Sequence, residues 1–98
     1  MRWDAKTYVI AYDIPHDRRR AHVADLLLSY GHRLQESVFI ANVRAAAFIR
    51  LKDDLLNMID VGEDSLLICD MGVSDETGRR LRQYGRGSRL EDDQTCVF

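Results

Sequence analysis

The chain has 98 residues, 46% hydrophobic and 31% charged, with one proline, a composition that reads as one small globular domain rather than a disordered or low-complexity segment. Its apolar stretches fall far short of the roughly 18 residues a membrane span requires, and no apolar segment follows Met1-Arg2-Trp3-Asp4, so a secretory leader and a membrane location are not expected. A formal net charge of -2 and a pI of about 5.9 exclude a uniformly basic nucleic-acid coat. Cys69 and Cys96 are expected as reduced thiols of a cytoplasmic protein, and no Cys/His spacing suggests zinc. A domain this small buries only about two-thirds of its unfolded surface, so self-association would help it.

Residues 6–14, KTYVIAYDI, form an apolar run rich in β-branched and aromatic residues that stops at Pro15, a strand covered on both faces. A helix is predicted next, capped by Asp17, with Val23, Leu26, Leu27 and Tyr30 as its apolar stripe and Gly31 as its stop. Residues 33–42 read as a second strand, with Leu34, Val38 and Ile40 in phase and Phe39 on the opposite face. A turn at Asn42-Val43-Arg44 leads into a third strand over 45–51. A short helix follows from Lys52 or Asp53, with Leu55, Leu56 and Ile59 inward and Gly62 at its close. Ser65–Met71 is the fourth strand. The order βαββαβ is that of an α+β ferredoxin-like sandwich. Both helices then cover one sheet face. The other pairs with a second copy, a homodimer in which an exposed Phe39 lies beside Val9 and Ala11. Residues 1–72 form this core and 73–98 a tail, in which Thr95–Phe98 is a candidate extra edge strand, swapped onto a neighbour.

Charge is unevenly distributed. Arg18, Arg19 and Arg20 adjoin, and Arg79, Arg80, Arg82, Arg86 and Arg89 form a second cluster without an acid between 79 and 89. Arginine is the bidentate donor suited to phosphate, although GC-rich coding also favours it. Cations in the first turn of a helix oppose its macrodipole, so acids such as Asp13, Asp17 or Asp25, or else phosphates, must offset them. Arg18 and Arg19 suit solvated positions, whereas Arg20 lies near the inward stripe and reaches across the end of the sheet. Asp13 closes an apolar strand, where an acid is costly unless capped, paired or metal-bound. It serves a cap or an arginine pair, or it is an oxygen ligand for Mg²⁺, a site that a two-fold axis could complete with a second Asp13. His16 and His22 share no helical face, so a histidine metal pair is not expected. Ser37 lacks a base, and no phosphate-cradling glycine loop is present.

The combination of Tyr12-Asp13-Ile14-Pro15, Arg19-Arg20 and Tyr30-Gly31-His32-Arg33-Leu34-Gln35-Glu36-Ser37-Val38-Phe39 at this spacing resembles the small CRISPR-associated adaptation protein. That family is the second of the two universal CRISPR proteins, often labelled an endoribonuclease. The resemblance covers residues 6 to about 71. It implies a ferredoxin-like homodimer joined through its sheet faces and a divalent metal, usually Mg²⁺, held by Asp13 of each protomer. It also implies a larger CRISPR integrase as partner, bridged by the dimer, with double-stranded DNA lying across the assembly. Some members cleave RNA, including single-stranded RNA, or DNA. Many relatives carry an acid after the SVF phenylalanine, where this chain has Ile40. Two functions are thus in play: a DNA-binding scaffold using Arg18, Arg19, Arg20, Arg79, Arg80, Arg82 and Arg86 against phosphates, and a Mg²⁺-dependent nuclease centred on Asp13. The scaffold is the favoured cellular role, because one acid per chain is a thin catalytic inventory.

Overall fold

The computed structural model describes residues 5–73 and 81–85. Six elements follow in order: β1 (Ala5–Asp13), α1 (Asp17–Leu28), β2 (Gly31–Gln35), β3 (Val38–Arg44), α2 (Ala45–Met58) and β4 (Ser65–Val73). The strands form one sheet in the order β2-β3-β1-β4, every neighbouring pair antiparallel. This is the ferredoxin-like βαββαβ arrangement that the order of apolar runs predicts.

β1 is central, which explains why nearly all its residues are apolar. Tyr8, Ile10 and Tyr12 alternate onto the helix-covered face and join Val23, Ala24 and Leu27 of α1, Leu51 and Leu55 of α2, and Phe39, Ala41 and Val43 of β3 in a single core. Each of the Val, Leu, Ile and Phe side chains among them contributes about 1.5–3 kcal/mol of hydrophobic stabilisation when fully buried. The Tyr8 and Phe48 rings stack in this core at 3.9 Å between centroids.

Phe39 corrects the expected dimer contact. It stands opposite Ile10 in the β1–β3 register, not on the side of Val9. Only 1% of it is exposed, and its ring lies 6.0 Å from that of Tyr12. Phe39 is therefore core within one chain and unavailable to a partner. The residues in phase with one another, Leu34, Val38 and Ile40, occupy the opposite face and form a second, smaller cluster with Leu81. Alternation was correctly paired; the helices cover the other side.

Two boundaries also move. The β2–β3 turn falls at Glu36-Ser37, and residues 45–51 are the first half of α2 rather than a strand. Ala45, Ala46 and Ala47 carry the highest helix propensity, and Leu51 and Leu55 fall at i and i+4 on the buried face. The Arg44 side chain at the N-cap makes no capping hydrogen bond, so packing and propensity start this helix. α1 is capped by His16, whose Nδ1 accepts from the Arg19 amide at 3.1 Å, one residue before the expected Asp17.

Gly31 does not end α1 as a left-handed cap; it opens β2. A Cβ there would sit 1.9 Å from the Ile40 carbonyl oxygen, so the close approach of two backbones demands glycine. Gly72, like Gly85, has left-handed backbone, with φ of 87°. It lies in a bulge where the register shifts between Lys6 and Tyr8, and its amide donates to the Asp70 carboxylate at 2.8 Å.

The face away from the helices is unevenly covered. Over β2 and β3, Leu81 packs on Leu34 and Ile40, and the Gln83 side-chain amide donates to the Leu34 carbonyl at 3.1 Å. Over β1 and β4, Val9 and Ala11 are half-buried, Cys69 is exposed and Leu67 is 64% exposed. Among the described residues no helix is long and apolar enough to cross a membrane.

Candidate nucleic-acid and metal site

Asp13 is the last residue of β1 and pairs in register with Ser65, the first of β4. Alternation from Val9 and Ala11 puts its exposed carboxylate on the open sheet face. The chain then buries Ile14, turns at Pro15 and enters α1 through the His16 cap. A short stretch thus sets a carboxylate, a helix start and three arginines at one end of the sheet.

The three arginines divide sharply. The Arg20 guanidinium donates to the Ile14 carbonyl at 2.9 Å, the Pro15 carbonyl at 3.3 Å and the Asp17 carboxylate at 2.6 Å. It folds back onto the loop beyond Asp13, with Asp17 as its compensating acid. Arg19 is not solvated as expected. Its Nε and Nη2 donate to the two oxygens of Asp64 at 2.6 and 3.0 Å, and Nη2 also reaches Glu63 at 2.7 Å. The Asp64 side chain has 0% exposure, that of Arg19 20%. Hydrogen bonding to Arg19 holds the Asp64 carboxyl below the usual carboxylate range against the opposing effect of desolvation, and the same bonds raise the guanidinium's already high pKa. Arg18 is exposed and makes no ion pair or hydrogen bond among the described residues. Of the three, its guanidinium is the one left exposed and uncommitted among the described residues. Arg82 is exposed and donates to the Leu81 carbonyl at 3.1 Å; Arg79, Arg80 and Arg86 lie outside the described residues.

A groove of about 300 Å³ between α1 and the end of α2 is lined by His16, Arg18, Arg19, His22 and Met58. His16, the cap residue just outside the helix, and His22 both line this groove. Arg33 was missed from the sequence alone. Its guanidinium lies 4.8 Å over the centre of the Phe39 ring and donates to the Glu36 carbonyl. The alternation that puts Arg33 opposite Phe39 in the hairpin is the signal that could have shown it.

For a divalent metal, Asp13 supplies one hard oxygen ligand. Among the described residues no three His, Cys, Asp or Glu side chains gather to hold an ion. Asp64, next to Ser65, is committed to Arg19 and to the Asp60 amide at 2.9 Å. The described residues of one chain therefore fit Mg²⁺ only in part, through the Asp13 carboxylate with waters completing the shell.

A ferredoxin-like sheet with an exposed strip on the face away from the helices, a carboxylate at the end of its central strand and an arginine-bearing helix start beside it define a small α+β protein of the βαββαβ class. Comparison with known proteins narrows this class. Residues 6–78 match the family model "CRISPR associated protein Cas2", and the chain belongs to that family. It is 51% identical over 59 residues to the CRISPR-associated endoribonuclease Cas2 3 of Synechocystis sp., a match covering 60% of this chain and 64% of that protein, just under two thirds of its length. It is 41% identical over 85 residues to a CRISPR-associated endoribonuclease Cas2 of Thermus thermophilus, covering 86% and 89%. Among solved structures, Streptococcus pyogenes Cas2 at pH 6.5 aligns with a TM-score of 0.72 at 32% identity, covering 81% of this chain and 99% of that one. A chain of a partial Cas6-RT-Cas1–Cas2 complex aligns with a TM-score of 0.64 at 27% identity, covering 80% and 89%.

Proposed function

We propose that the protein is a subunit of CRISPR adaptation, a homodimeric cytoplasmic scaffold that binds duplex DNA and bridges the larger CRISPR integrase during spacer acquisition. The observation that carries this reading is the divided open face. Among the described residues, Leu67 and Cys69 on β4 and the half-buried Val9 and Ala11 on β1 form an apolar strip that no other described residue covers, and a second copy meeting it face to face would bury the strip. Family membership and the alignment with a chain from a complex containing Cas1 support an integrase as the partner. Arg18 at the helix start contributes sequence-independent contact with phosphate. β4 is an edge strand among the described residues; Thr95–Phe98, the candidate swapped strand, lies outside the described residues. The test is duplex binding at several salt concentrations: Arg18→Ala lowers the salt slope by about one, and unchanged binding and slope would reject the role given to Arg18.

A second reading, a Mg²⁺-dependent nuclease, is favoured by the exposure of Asp13 on the same open face and by the endoribonuclease names of the relatives. A bound Mg²⁺ would polarise the phosphate and lower the pKa of a water. In this chain Asp13 would hold it, and the Asp13–Ser65 rung would fix that carboxylate at the strand end. Wild type and Asp13→Ala, purified identically, are compared on short RNA and duplex DNA with Mg²⁺. Cleavage lost in the variant supports the nuclease. Equal cleavage by both points to a contaminant.

A further inference from the structure

The Arg19–Asp64 contact joins two segments that flank Asp13. On one side, the chain runs from Asp13 through Pro15 to Arg19 in the first turn of α1. On the other, Asp64 precedes Ser65, which is the ladder partner of Asp13. The side-chain contact closes these into a ring: Asp13, Arg19, Asp64, Ser65 and back to Asp13.

The far wall of the ring is itself firmly built. Within the 60–64 turn, the Asp60 carbonyl accepts from the amides of Glu63 at 2.9 Å and Asp64 at 2.7 Å. The Asp60 carboxylate accepts from the Gly62 amide at 2.9 Å, and Asp64 Oδ2 from the Asp60 amide at 2.9 Å. A two-pronged guanidinium–carboxylate pair fixes orientation as well as distance, and here it is anchored to a turn with little freedom.

We infer that Arg19 is a positioning residue, clamped by Asp64 and Glu63 so that the start of α1 is held against the 60–64 turn and Arg18 and the Asp13–Ser65 rung keep their places. It is not a phosphate contact. This gives the arginine triplet three separate tasks: Arg18 faces the ligand, Arg19 locks the helix to the turn, and Arg20 ties it to the Ile14-Pro15 loop. The inference rests on the DNA-binding reading for its binding readout and on the fold alone for its stability readout.

The experiment combines a thermal-unfolding cycle with duplex-DNA binding measured against salt, on the full chain. Arg19→Ala and Asp64→Ala each lower Tm, and the double variant melts no lower than the worse single one, because both remove the same contact. Arg19→Ala keeps the wild-type salt slope, whereas Arg18→Ala reduces it by about one. Arg19→Lys is a milder variant should the alanine fail to fold. It retains the charge but not the fork, so it lowers Tm and keeps the slope. Additive losses of Tm overturn the clamp, as does a salt slope reduced by about one in Arg19→Ala. Should wild type bind no duplex, the DNA-binding reading fails, and the cycle alone decides: coupled losses support the clamp and additive ones reject it.

Discussion

Phe39 and Leu67 lie on opposite faces of the sheet, the first in the core and the second exposed. Phe39 packs between Tyr12 and the Arg33 guanidinium, so Phe39→Ala is expected to cost the monomer about 3–5 kcal/mol in a denaturant titration. Leu67 is 64% exposed, and Leu67→Ser is expected to leave monomer stability within about 0.5 kcal/mol of wild type while weakening self-association. Gly31 is the residue least able to change. A methyl group would meet the Ile40 carbonyl at 1.9 Å, and Gly31→Ala is expected to cost about 3 kcal/mol or more, since the obstruction is backbone. The acid side of the stability profile belongs to Asp64 and Asp70. Arg19 depresses the first, and the Gly72 amide, then Lys6, the second. Groups with lowered folded pKa stabilise fully above their unfolded value, near ~3.9, and that contribution is lost as pH falls through the folded pKa. Asp64→Asn is therefore expected to flatten the loss of Tm as pH falls below the unfolded carboxylate value; an unchanged acid limb would show that Asp64 does not govern it.

At the level of elements, legibility tracks how distinct each local signal is. β1 and α1 were readable because one is a continuous apolar run ending at proline and the other a clean 3.6-residue stripe. The β2–β3 hairpin was not, because Glu36-Ser37 contains none of the Gly, Asn, Asp or Pro residues that mark most tight turns. β3 is apolar on both faces, so its alternation reveals which residues go together but not which set meets the helices. That ambiguity misplaced Phe39. Ala45, Ala46 and Ala47 fit either a buried strand or a helix by hydropathy, and propensity decides for the helix. Arg50 provides the check, being exposed in α2. Arg50→Pro is expected to cost about 3 kcal/mol, and a neutral effect would restore a non-helical segment there. Of the site, Asp13 and the arginine triplet were visible as a motif. The commitment of Arg19 to Asp64, 45 residues away, was not, because the contact depends on how the 60–64 turn packs against α1.

For the whole molecule, the uneven cover of the sheet matters most. Leu81 and Gln83 lie over β2 and β3, and the strip along β1 and β4 is exposed among the described residues, the face the proposed dimer would bury. A face-to-face dimer would bring two Asp13 carboxylates to one assembly, so the scaffold and nuclease readings share one oligomer. The overall charge of -2 does not oppose the proposed DNA contact, because that contact would be made by a local charge, Arg18 at the start of α1. Leu67→Glu, which places a charge in that strip, is expected to convert the dimer to monomer and to weaken duplex binding without unfolding the chain; a variant that remains dimeric would move the interface elsewhere. The deciding measurement is the mass, by light scattering, of the complex formed from this protein, a Cas1-type integrase and duplex DNA. A dimer of this chain joining two integrase dimers on one duplex, unchanged for Asp13→Ala, is the expected result. A complex with a single integrase dimer, or none containing this chain, would contradict the bridging role.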